Sequence, residues 1–94
     1  MVDAERYREL MRQGALAVDV RPEAVARQDP WPEAVSVPWD RIQAGTHGLP
    51  AGRPLVLLCS VGQMSKVAAL YLEDEGLGPV YVLEGGLRSL EAGS

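Results

Sequence analysis

The chain has one cysteine, one histidine, no phenylalanine and no asparagine among its 94 residues. A single cysteine excludes an internal disulfide, so Cys59 is either a buried filler or a reactive thiol. One histidine beside one cysteine is too few donors for a zinc-type cluster, and no metal site is expected. Positive charge is also short. The net charge of −4 argues against nucleic acid or an anionic membrane as the main partner, since both select a basic face. No apolar run approaches the ~20 residues of a membrane helix. The opening residues, MVDAERYREL, carry charge early and lack the apolar centre of a signal peptide, so a cytoplasmic location is expected. No repeat or low-complexity tract is visible. Lys66 is the one lysine against eight arginines, and Pro and Gly are common. This usage resembles a GC-rich, thermophilic source, although scarce lysine runs against the usual hyperthermophile trend.

What is present suffices for one domain over residues 1–94, with apolar residues making up 47% of the chain to supply a core. Asp3 is placed to cap a helix in which Tyr7, Leu10 and Met11 recur at helical spacing, and Gly14 stops it. Ala15–Val20 is an almost wholly apolar run that predicts a buried strand. The Pro-rich stretch 22–33 predicts a connection with one helical turn. Ala34–Pro38 predicts a second strand, Trp39–Ala44 a short helix, and the Gly-rich stretch 45–54 a loop. Leu55–Cys59, LVLLC, is the clearest strand pattern. Ser65–Glu75 predicts a helix whose apolar face carries Val67, Leu70 and Tyr71 beside Ala68, with Gly76 as its stop. Val80–Leu83 predicts a strand, Gly85-Gly86 a break, and Leu87–Ala92 a last helix. Strands alternating with helices predict an α/β fold, with a mostly parallel sheet of four to five strands and helices on both faces.

In a parallel sheet the strand C-termini share one edge, where ligands bind. Three features fall on that edge: Asp19-Val20-Arg21, Cys59–Ser65 and Glu84-Gly85-Gly86. The segment Cys59-Ser60-Val61-Gly62-Gln63-Met64-Ser65-Lys66 runs from a buried strand through a tight loop into a helix. Backbone N–H groups in such a loop form an anion-binding nest, and the helix N-terminus adds partial positive charge. Together they favour a thiolate over a thiol. Gly62 permits a backbone conformation closed to most residues, and Ser65 is placed to cap the helix.

This segment resembles the active-site loop of rhodanese domains, which commonly reads Cys-x-x-Gly-x-Arg-Ser. The likeness extends along the chain. Leu16–Pro22, LAVDVRP, looks like the family's Asp-Val-Arg motif at the end of an early strand. Ala34–Pro38 looks like the strand after the family's second motif, although the usual Gly-His-Ile before it is absent. Val80–Leu90, VYVLEGGLRSL, is similar to the closing strand, double glycine and short helix. The resemblance implies a rhodanese-like fold and a sulfurtransferase in which Cys59 is the nucleophile and carries sulfur as a persulfide. Loop residues Ser60, Val61, Gly62, Gln63, Met64 and Ser65 would hold the substrate. It implies no metal or organic cofactor. The implied partners are a small sulfur donor and acceptor, or a protein persulfide.

The departures carry information too. The family's loop arginine falls on Met64 here, and Ser60 stands where a basic residue often follows the cysteine. The loop side chains are uncharged and only Lys66 is near, so thiosulfate, a dianion, is expected to be a poorer donor than a neutral or protein-borne persulfide. Asp19 and Arg21 are expected to pin the strand end rather than touch substrate. Gly85 and Gly86 meet a turn requirement or allow a close approach to the cysteine loop. His47 is expected as an exposed loop residue. Trp31 and Trp39 are expected as core or rim packing. Two competing functions remain: a catalytically silent binding or sensor module, and a Cys-based phosphatase or arsenate reductase. The latter chemistry wants an arginine six residues after the cysteine, where Ser65 stands.

Overall fold

A computed structural model describes residues 1–60 and 63–92. Helix α1 (Ala4–Arg12) begins at Asp3, whose carboxylate accepts the Arg6 N–H at 2.8 Å. Then follow β1 (Leu16–Asp19), α2 (Glu23–Gln28), β2 (Ala34–Ser36), α3 (Trp39–Ala44), β3 (Leu55–Leu58), α4 (Gln63–Asp74), β4 (Val80–Val82) and α5 (Leu87–Ala92). The four strands form one sheet in the order β2-β1-β3-β4, and every pairing is parallel. This is the predicted α/β architecture. None of the helices described is long and apolar enough to cross a membrane.

The sheet is covered on both faces because its strands alternate. Leu55 and Leu57 of β3 pack with Ile42 of α3 and with Ala68, Ala69 and Leu72 of α4. Val56 and Leu58 point the other way and pack with Tyr7 and Leu10 of α1 and with Leu87 and Leu90 of α5. All four β3 side chains are fully buried, each worth roughly 1.5–3 kcal/mol of transfer free energy. A strand apolar on both faces is the signature of the middle of a parallel sheet.

Three local expectations are corrected. The stretch 22–33 holds a six-residue helix, α2, rather than one turn: Pro22 stands at its N-cap and Glu23 pairs with Arg27 at 2.7 Å across one turn. Helix α4 begins at Gln63, so Ser65 lies inside its first turn and is not its cap. The face of α4 turned to the sheet carries Ser65, Ala68, Ala69 and Leu72, while Val67, Leu70 and Tyr71 are exposed. The helix has two apolar stripes. The one with small residues faces the sheet, because alanines let the helix axis come close.

Candidate active site

Cys59 is the first residue beyond β3 and is 3% exposed. In the parallel register Leu58 stands beside Asp19, which brings the residues after β1 level with those after β3. Arg21, Pro22, Cys59, Ser60, Gln63 and Met64 line a cavity of about 210 Å³ at this edge. Three larger depressions, of about 510, 500 and 280 Å³, lie elsewhere among the described residues, and Cys59 lines none of them. The ends of β1 and β3 therefore meet at one edge of the sheet.

Asp19 and Arg21 form a buried pair. The Arg21 Nε donates to both Asp19 carboxylate oxygens at 3.0 and 3.1 Å, and Nη2 donates to Oδ2 at 2.8 Å. Nη2 also donates to the Asp29 carbonyl oxygen at 2.7 Å, and Nη1 lies 3.4 Å from the Asp29 carboxylate. These hydrogen bonds from Arg21 to Asp19, more than the opposing cost of burial, raise the guanidinium above its ordinary range. The expectation that the pair pins the strand end fits this geometry. Arg21 also walls the cysteine cavity, but its charge is committed to Asp19 and Asp29.

Gly86 takes φ +65° and Gly85 takes φ +76°, in the left-handed region. A Cβ on Gly86 would stand 2.5 Å from the Ser60 carbonyl oxygen and would overlap that of Cys59. Leu87 N–H donates to the Cys59 carbonyl at 2.8 Å. The second glycine is thus a close approach as well as a turn. It docks α5 directly on the backbone of the cysteine.

The remaining sequence-predicted residues divide. Gln63 and Met64 wall the cavity, with Met64 also packed on the core. Ser65 is fully buried inside α4 and does not line the cavity, and its hydroxyl has no hydrogen-bond partner among the described residues. Lys66 is exposed and is not part of the cavity wall. The expected roles of Val61 and Gly62 fall outside the described residues. Trp39 packs on the α4 side and meets Tyr71 edge-on at 5.0 Å, while Trp31 packs on the opposite side of the sheet.

His47 corrects its expectation. Its side chain is 7% exposed, lies 2.9 Å from a Glu75 oxygen through Nε2, and accepts the Leu49 N–H at Nδ1. It staples the long loop to the end of α4, which a Gly-rich local sequence gave no sign of.

Two site residues escaped the sequence reading. Arg88 and Asp29 line a second cavity of about 150 Å³ with Arg21, Ser60 and Leu87, and it shares Arg21 and Ser60 with the first. The available signal was Arg88 standing two residues beyond a double glycine already placed at this edge.

The description "Rhodanese-like domain" belongs to the family whose sequence model matches residues 3–92. Among curated proteins, a thiosulfate sulfurtransferase GlpE from Pseudomonas syringae pv. syringae is 32% identical over 87 residues, covering 93% of this chain and 82% of its own. Among solved structures, a rhodanese homolog from the extremely thermophilic bacterium Thermus thermophilus is 49% identical. It covers 93% of this chain and 95% of its own, with a TM-score of 0.79. The human single-domain sulfurtransferase TSTD1, at 19% identity, shares the fold with a TM-score of 0.86 over 100% of this chain and 96% of its own.

Proposed function

The chain belongs to the rhodanese-like domain family, and on that premise we propose that it is a sulfurtransferase carrying sulfane sulfur as a persulfide on Cys59. The observation that carries this reading is the placement of the chain's sole cysteine. It stands at the C-terminal end of an inner strand, in the wall of a small cavity, four residues ahead of the twelve-residue helix α4. The positive end of that helix favours an anion at this point, whether a thiolate or the outer sulfur of a persulfide.

The reaction runs in two halves. The Cys59 thiolate attacks the outer sulfur of a donor R–S–S⁻. The donor's S–S bond breaks, R–S⁻ leaves, and Cys59 holds the transferred sulfur through a new S–S bond. An acceptor nucleophile, such as cyanide, a thiolate or a protein thiolate, then attacks that outer sulfur, and Cys59 departs as the thiolate. Electrons balance across the two halves, so the cycle consumes no oxidant or reductant. The described loop side chains at the cavity, Ser60, Gln63 and Met64, are uncharged. This supports low-molecular-weight or protein-borne persulfides over thiosulfate as donors.

Intact mass after exposure to a persulfide donor tests the reading. A gain of one sulfur is expected on the native chain and none on Cys59→Ser. No gain on the native chain would indicate a catalytically silent module instead. The donor preference is tested separately, because a thiosulfate KM well below a millimolar in a thiocyanate assay contradicts it.

A further inference from the structure

The Cys59 cavity has a charge deficit that the adjoining cavity repairs. Of the described residues lining the first, only Arg21 is cationic, and Asp19 and Asp29 occupy it from two sides. The adjoining cavity adds Arg88, which is exposed and takes part in no ion pair or hydrogen bond among the described residues. Its backbone is held firmly relative to the thiol. Gly86 sits against the carbonyls of Cys59 and Ser60, Leu87 N–H binds the Cys59 carbonyl, and Leu87 and Leu90 are both 4% exposed. An exposed arginine on this held backbone therefore lines the cavity that shares Arg21 and Ser60 with that of the sulfur.

We propose that Arg88 selects carboxylate-bearing thiols and thiol persulfides, binding the carboxylate in its own cavity while the sulfur enters the cavity of Cys59. The inference rests on Cys59 being the sulfur carrier and names the substrate class of that site. Three features favour this class. The two cavities share Ser60 and Arg21 in their walls, so a ligand reaching from one to the other needs only a short stem between its sulfur and its charge. The guanidinium fork matches a carboxylate in shape and charge. The Asp29 carboxylate shares the second cavity and limits its positive potential, which suits one carboxylate better than a compact dianion such as thiosulfate.

Because Cys59 is the sole thiol, its alkylation is a clean probe that does not depend on sulfur transfer. Iodoacetate carries a carboxylate, and iodoacetamide is its neutral analogue. The ratio of their second-order rates with Cys59 is measured for the native chain and for Arg88→Ala, Arg88→Glu and Arg88→Lys. The ratio is expected to fall about fivefold in Arg88→Ala, the scale of an exposed ion pair, and further in Arg88→Glu. Arg88→Lys should keep part of the native ratio, and high salt should erode it. An unchanged ratio in both Arg88→Ala and Arg88→Glu overturns the proposal. So does an equal slowing with both reagents, which would mark Arg88 as merely structural. If the ratio responds but no persulfide forms on the native chain, the carboxylate site stands and the sulfur-transfer reading falls.

Discussion

Gly86 lies so close to Cys59 that no side chain fits between them: a Cβ on Gly86 would overlap the Cys59 carbonyl oxygen, and Leu87 N–H ties the next peptide to the same atom at 2.8 Å. The cysteine is thus positioned from both sides, by β3 leading into it and by the turn before α5 resting on its peptide.

Gly86→Ala is therefore expected to cost about 2 kcal/mol or more, combining a left-handed φ with an overlap against backbone that cannot yield. Sulfur transfer should fall with it, since the Cys59 peptide must shift. Gly76→Ala is the control: it has φ +83° but open space around its Cβ, so it should cost about 1 kcal/mol and leave transfer unchanged. Urea midpoints and a transfer assay on both variants check the contrast.

Asp19→Asn removes the counter-charge from a guanidinium whose side chain is 5% exposed. A loss of up to about 3–5 kcal/mol is expected, the cost of stripping a buried charge of its buried partner, with only the exposed Asp29 carboxylate left 3.4 Å away. The pH profile contributes a second check. The Arg21 value is raised in the folded state, so its stabilisation is complete below the ordinary arginine range and is lost only as pH climbs through the raised value. Titration of Arg21 should leave the stability curve flat across neutral pH.

Tyr7 imposes an alkaline limit instead. Its phenol is buried and donates to a Glu33 oxygen that also accepts the Trp31 Nε1–H at 2.8 Å. Burial, and then the hydrogen bond to Glu33, push Tyr7 well above the ordinary tyrosine value of 10.0. Above that value the unfolded chain has lost a proton that the folded chain retains, so stability should fall as pH rises past about 10. Tyr7→Phe should remove this slope, and also cost about 1.5–3 kcal/mol at neutral pH through the lost charge-assisted bond. Denaturation series between pH 8 and about 11 read both effects.

Leu70 and Leu72 stand two residues apart on α4 and differ completely in environment, 67% against 0% exposed. Leu72→Ala should cost about 2–5 kcal/mol through the cavity it leaves. Leu70→Ala should stay within about 0.5 kcal/mol of the native chain. Thermal melts of the pair decide which stripe of the helix faces the sheet.

That pair also marks the limit of local pattern. Periodicity marked α4 as a helix, but it carries two apolar stripes, and nothing local says which one meets β3. The choice belongs to packing: Ala68 and Ala69 admit the sheet closely, while Val67 and Tyr71 do not. His47 is similar. Its loop looked solvated, and only the fold brings Glu75, 28 residues away, within 2.9 Å.

The order and type of the elements, the parallel sheet, and the gathering of Asp19, Arg21, Cys59 and Gly86 at one edge were legible because they depend on local rules: alternation, strand length, glycine and proline placement. The pattern puts Ser65 at a cap because a helix start is the least determined feature of a sequence, and α4 begins two residues earlier. The absence of a loop cation at Met64 was also plain from the sequence. Where positive charge returns was not. Arg88 reaches the site only because Gly86 has no side chain and lets α5 settle on the Cys59 peptide. That is a contact between positions 27 apart in the chain, decided by space and not by sequence neighbours.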